Sequence, residues 1–174
     1  KLLTNDLPHF DGAYHLVVSH GGRSTPAAVP GTGMMSSPPT IHSLTQVGRP
    51  YTVNDHGTNL DLPYKLRRLG VLPIPMDFLP IESVPVPSTY DDMYWRSGQD
   101  ILRAAALVRD DPRLQAIYLT NFNCGPDAFL ISYFREVMAD KPFLELEVDD
   151  HTADAGMITR CEAFLDSLNL RRLV

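Results

Sequence analysis

Cys124 is the residue in this sequence best placed for chemistry. It stands in Asn121-Phe-Asn-Cys124-Gly-Pro-Asp127, between a run that reads as a strand and one that reads as a helix. At such a corner, backbone N–H groups and the positive end of the helix dipole favour a thiolate. A thiolate there suits metal or cluster ligation, thiol redox chemistry or nucleophilic attack. The plain alternative is a small residue packed in a tight turn. Asn123, Gly125 and Asp127 flank it and complete the corner. The second cysteine, Cys161, falls on the apolar stripe of a helical segment and reads as core. Two cysteines are too few for a secreted disulfide framework or a four-thiolate metal site. Any metal or cluster on Cys124 therefore needs ligands from elsewhere.

Three further places carry reactive side chains. Glu147-Val-Asp149-Asp150-His151, with Asp154, gathers carboxylates and one imidazole, which suit a cation or general-base work. The same residue types also satisfy turns and N-caps before a helix. Gly48-Arg49-Pro50-Tyr51 is a strand-end turn with a fixed cation. Arg160 is expected in the first turn of the closing helix, where it suits a phosphate, a neighbouring carboxylate or a surface ion pair. Gly48, Arg49, Tyr51, Asp149, His151 and Arg160 are thus expected to shape a site around Cys124. The sequence has no glycine-rich phosphate loop, in either the dinucleotide or the Lys-Ser/Thr form, and no nucleophile elbow. No nucleotide site is expected in this segment. His9, His15, His20 and His42 lack metal-ligand spacing and read as solvated or turn residues.

The rhythm that positions these corners begins at Thr45. Residues 45–47 (TQV) read as a short strand, and a helix over 60–69 stops at Gly70, a residue that accepts left-handed backbone. A strand over 71–74 leads to a loop rich in proline. The longest helix is expected over 92–109, with Ile101, Leu102, Ala105 and Val108 at helical spacing. A strand over 116–120 ends at the Cys124 corner. The helix after it, 127–138, is expected to bury Phe129, Leu130, Tyr133, Phe134 and Val137. A strand over 143–148 and a helix over 157–168 close the pattern. Strands alternating with helices imply a three-layer α/β fold, about four parallel strands flanked by helices, Rossmann- or flavodoxin-like. Ligands in such folds bind beyond the carboxyl ends of the strands, near a change in strand order. Residues 1–45 are rich in Gly, Pro and Ser, and only 14–19 (YHLVVS) reads as a strand. The expected division is an irregular, poorly ordered extension over 1–45 and an α/β domain over 46–174.

Composition narrows the function. Fifteen Lys+Arg against 21 Asp+Glu leave a net charge of −6, which argues against nucleic acid as a partner. No apolar run has the length of a bilayer-spanning helix, and the N-terminus lacks a signal pattern. The expectation is a soluble, cytoplasmic protein without a membrane partner. The first residue is Lys1, so a piece of a longer chain is expected.

Five ordered blocks carry a family resemblance: GRPY at 48–51, LGVLPIPMDFLP at 69–80, YWRSGQDILRAAALVRDDPRL at 94–114, IYLTNFNCGPDAF at 117–129, and LEVDDHTADAG with TRCEAFLD within 146–166. Together they resemble the C-terminal region of the acyl-CoA dehydratase activase-related proteins. That family is similar to 2-hydroxyacyl-CoA dehydratases joined to their ATP-dependent activators. The resemblance covers about residues 46–170, a dehydratase-like domain. It implies an oxygen-sensitive iron–sulfur system of anaerobic metabolism, in which an activator delivers a low-potential electron to a cluster of the 4Fe–4S kind. The substrate it implies is a CoA thioester or a similar difficult compound. It places Cys124 where a cluster-ligating cysteine stands in the dehydratase subunits. The other cysteines of such a site, and the activator's nucleotide site, are absent from this chain. The implied partners are other domains of a longer chain or an ATP-dependent activator, and the segment alone is expected to be inactive.

Overall fold

In the computed structural model the described residues are 42–121, 125–149, 152 and 154–170. The strand expected over 14–19 lies outside them. Four strands, β1 (Ser43–Gly48), β2 (Leu72–Pro75), β3 (Leu114–Asn121) and β4 (Phe143–Val148), form one sheet in the order β2-β1-β3-β4. Every pairing is parallel. All four strands therefore finish on one edge, at Gly48, Pro75, Asn121 and Val148. Strand order reverses between β1 and β3, because β1 leads outward to β2 while β3 returns on its other side. The sheet is the Rossmann-like α/β arrangement that the alternation implies.

Side-chain alternation along the strands divides the core in two. Val47, Ala116 and Tyr118 face α3 (Arg96–Asp110) and α4 (Gly125–Met138). Leu44, Ile117, Leu119, Leu146 and Val148 face α1 (Pro50–Asn54), α2 (Leu62–Arg68) and α5 (Asp154–Ser167). The first layer is anchored on Phe134, whose ring lies 4.9 Å from both Tyr118 and Phe143. The outer edge of β2 is blunted by proline. Leu72 donates its N–H to the His42 carbonyl, so alternation turns Pro73 and Pro75 outward, where they have no N–H to offer.

Several element ends differ from the sequence expectation, each for a local reason. β1 extends beyond TQV at both ends, because Ser43, Leu44 and Gly48 also pair with β3. The short helix α1 has no apolar period to announce it, and only Pro50 in its first turn hints at it. The helix expected from residue 60 begins at Leu62, because Leu60 and Asp61 take φ values of 52° and 54° and break the run. The helix expected from residue 92 begins at Arg96. Met93 packs on Gly98 and its carbonyl accepts from Gln99 Nε2 at 2.7 Å, folding the approach back onto the helix. Phe129 was expected in the core but is 63% exposed. The buried stripe of α4 runs through Asp127, Leu130, Ile131, Phe134 and Met138, and Phe129 lies on the opposite side of the helix.

One tyrosine ties the proline-rich loop to α4. Tyr90 is buried, its ring centroid lies 4.6 Å from that of Tyr133, and its hydroxyl donates to Glu136. Burial first, and the Glu136 contact second, push the Tyr90 hydroxyl up from 10.0 to about 12. Between those values the folded protein keeps a proton that the unfolded chain has shed, so stability falls as pH rises through this window. Denaturant unfolding from pH 9 to about 12 is expected to show a shallower fall for Tyr90→Phe than for the unchanged chain.

Candidate functional site

The carboxyl edge at the β1/β3 reversal is organised around one ion pair. Arg49 follows the last residue of β1 and precedes α1. Asp127 sits in the first turn of α4. Arg49 Nε donates to Asp127 Oδ1 at 2.7 Å, with the Asp127 side chain 2% exposed and that of Arg49 22% exposed. Thr120, fully buried near the end of β3, lies with its Oγ1 3.4 Å from the other oxygen of Asp127. The pair thus joins the exits of β1 and β3 directly across the crevice. The Arg49 guanidinium also lies 5.8 Å from the centre of the Tyr51 ring, in cation–π range.

Gly48 permits this closeness. A Cβ at that position would stand 2.6 Å from the backbone oxygen of Leu119, its partner on β3. A side chain there would force the two central strands apart.

Of the residues singled out from sequence, Gly48, Arg49, Tyr51 and Asp127 are brought together here, and Gly125 opens α4 beside them as an exposed residue. Asn123, Cys124 and His151 lie outside the described residues. The described elements that bracket Cys124 are the end of β3 at Asn121 and the start of α4 at Gly125. Sequence reading gave no role to Thr120. A threonine at the last inward position of a strand, seven residues before an acid, is a weak signal for it.

Asp149 and Arg160 belong to a different place, beside the edge strand β4. With Glu147, Thr152 and Met157 they line a cavity of about 280 Å³. Thr152 Oγ1 donates to Asp149 Oδ1 at 2.7 Å and accepts from the Asp149 N–H at 2.9 Å, which is turn chemistry. Arg160 does not stand in the first turn of its helix, because α5 begins at Asp154. Its Nη2 donates to the Glu145 carbonyl at 2.6 Å. That carbonyl lies on β4, which among the described residues has a neighbour on one side alone, so Arg160 covers a sheet edge.

Cys161 is core, as its place on the stripe implies. It is 1% exposed, and burial pushes its thiol up to about 11. Its thiol is therefore neutral and enclosed, the opposite of a ligand. Among the described residues no three His, Cys, Asp or Glu side chains gather as a metal site. No helix among them is long and apolar enough to cross a membrane.

No family model, curated protein or solved structure matches this chain.

Proposed function

We propose that this chain is a dehydratase-like α/β module of an ATP-activated iron–sulfur electron-transfer system, with Cys124 giving one thiolate to a shared cluster. The observation that supports this is positional. Cys124 falls in the connection from β3 to α4, at the reversal of strand order where doubly wound sheets hold ligands. The amino end of α4 follows that connection and suits an anionic thiolate or cluster. The described residues do not make a complete ligand set, and Cys161 is enclosed on the far side of the sheet. With two cysteines in the sequence, the thiolates of a whole cluster are not all supplied by this segment. Its remaining ligands, the ATP-dependent activation and any turnover of a CoA thioester belong to other domains or chains.

The second reading is a non-catalytic interaction domain of the same large protein. Exposed aromatic rings along the same edge, Tyr51, Phe78, Tyr94 and Phe129, support it.

The chain prepared without oxygen together with the domains or chains that complete the cluster, with and without Cys124→Ala, separates the two. Under the first reading the substitution removes most of the visible cluster absorption. In the same preparation, freed of metal, Cys124 reacts fast with a thiol reagent and Cys161 only after unfolding. Unchanged absorption in Cys124→Ala would leave the interaction reading standing.

A further inference from the structure

We propose that the carboxyl edge of the sheet docks a cationic, amphipathic segment of a protein partner. This deepens the interaction reading and does not depend on a cluster at Cys124. Five large apolar side chains are exposed among the described residues, and four of them follow the ends of strands on this edge. Phe78, 67% exposed, closes the single helical turn directly after β2, and Tyr51 stands in α1 after β1. Phe129 lies near the start of α4, and Tyr94, 80% exposed, just precedes α3. The fifth, Tyr64, lies in α2 with the Arg68 guanidinium 6.0 Å from its ring centre.

Contacts within the fold connect these positions. Asn54 in α1 donates to Asp77, the neighbour of Phe78, at 2.9 Å. Arg49, beside Tyr51, is bonded to Asp127 two residues before Phe129. Gly98 packs between Leu130, the neighbour of Phe129, and Met93, the neighbour of Tyr94. The rings are also held on anchored backbone, since Met76, Leu79, Ile81 and Tyr90 in the same loop are buried. Rings held on anchored backbone lose little freedom on binding.

Charge decides the class of partner. From residue 69 to residue 95 the chain carries Asp77, Glu82, Asp91 and Asp92 and no Lys, Arg or His. Asp91 and Asp92 are exposed and form no ion pair with a described residue. The cations that border the loop are engaged: Arg96 with Glu82 and Asp100, Arg49 with Asp127. Exposed rings beside carboxylates offer arginine both a π face and a counter-ion, while the apolar side of an amphipathic segment covers the remaining ring surface. An acidic partner meets repulsion at the same place.

Trp95, the sole tryptophan, stands edge-on to Tyr94 at 5.3 Å and reports on this surface. The probes are an amphipathic peptide of arginine and leucine and its counterpart with glutamate in place of arginine. The expected result is a saturable change in Trp95 fluorescence with the arginine peptide alone, weakened by added salt. Calorimetry is expected to show binding reduced about tenfold in Phe78→Ala with Phe129→Ala, and reduced also in Asp91→Asn with Asp92→Asn. These side chains are exposed, so the variants keep the fold, which far-ultraviolet circular dichroism checks. Equal affinity in the variants overturns the proposal. Tighter binding of the glutamate peptide overturns the class of partner but keeps a docking edge, whereas no binding of either peptide removes the docking reading itself.

Discussion

Arg49→Ala is expected to lower the free energy of unfolding by about 3 kcal/mol, toward the lower end for breaking a buried ion pair. The reason lies in the unequal burial of the partners. Asp127 is 2% exposed, so it keeps little hydration once its cation is gone. Arg49 is 22% exposed, and water reaching it screens part of the attraction, which holds the cost near the bottom of that range. Arg49→Lys is expected to recover only part of the loss, because a lysine ammonium cannot reproduce the directed Nε–H bond to Oδ1. Denaturant unfolding of Arg49→Ala, Asp127→Ala and the double variant checks this. The double variant is expected to lose clearly less than the two single losses combined, since each single change leaves one charge behind. Strict additivity would mean that the pair does not act as a unit.

Gly48→Ala is expected to cost about 3 kcal/mol, at the upper end for overpacking. The offending atom is the backbone oxygen of Leu119, 2.6 Å from the added carbon, and not a side chain that can swing away. Leu119 is paired with Gly48 across the two central strands, so relief means stretching the ladder where β1 and β3 meet. The Leu119 Cβ and Val53 Cγ2, both at 3.4 Å, close off the remaining room. Gly156 in α5 is the control. No heavy atom of the described residues lies within 4 Å of a Cβ added there, and Gly156→Ala is expected to stabilise the protein by roughly 0.5–1 kcal/mol. Opposite shifts in the denaturation midpoints of the two variants distinguish close strand approach from a general preference for glycine.

The fold was legible where a single segment carries its own period. β3, β4, α3 and α4 are long enough for alternation or helical spacing to stand out, and Pro126, which needs no N–H partner in a first turn, stands at the start of α4. α1 was not legible, because five residues cannot show a helical period and tertiary contacts with β1 and β3 hold it. Phe129 misled for a related reason. An apolar residue two places after a helix starts looks like core until the phase of the buried stripe is known, and Asp127 occupies that stripe instead.

The site was legible as a set of corners and not as contacts. Gly48, Arg49 and Asp127 were singled out because each stands where a strand ends. Nothing local joins Arg49 to Asp127, which are 78 positions apart, since strand order alone brings β1 beside β3. The same order separates Asp149 and Arg160, whose hydrogen bonds close a turn and cover the edge of β4. Thr120 escaped notice because a buried hydroxyl in a strand reads as β-propensity until an acid is found facing it.

Iron and acid-labile sulfide, measured on the chain prepared without oxygen together with the domains or chains that complete the cluster, test the role of Cys124 most directly when Cys124→Ala and Cys161→Ala are compared. Cys124→Ala is expected to lose most of both, and Cys161→Ala to keep both, because its thiol is enclosed in the core. Undiminished iron and sulfide in Cys124→Ala would contradict the assignment of Cys124 as a cluster ligand.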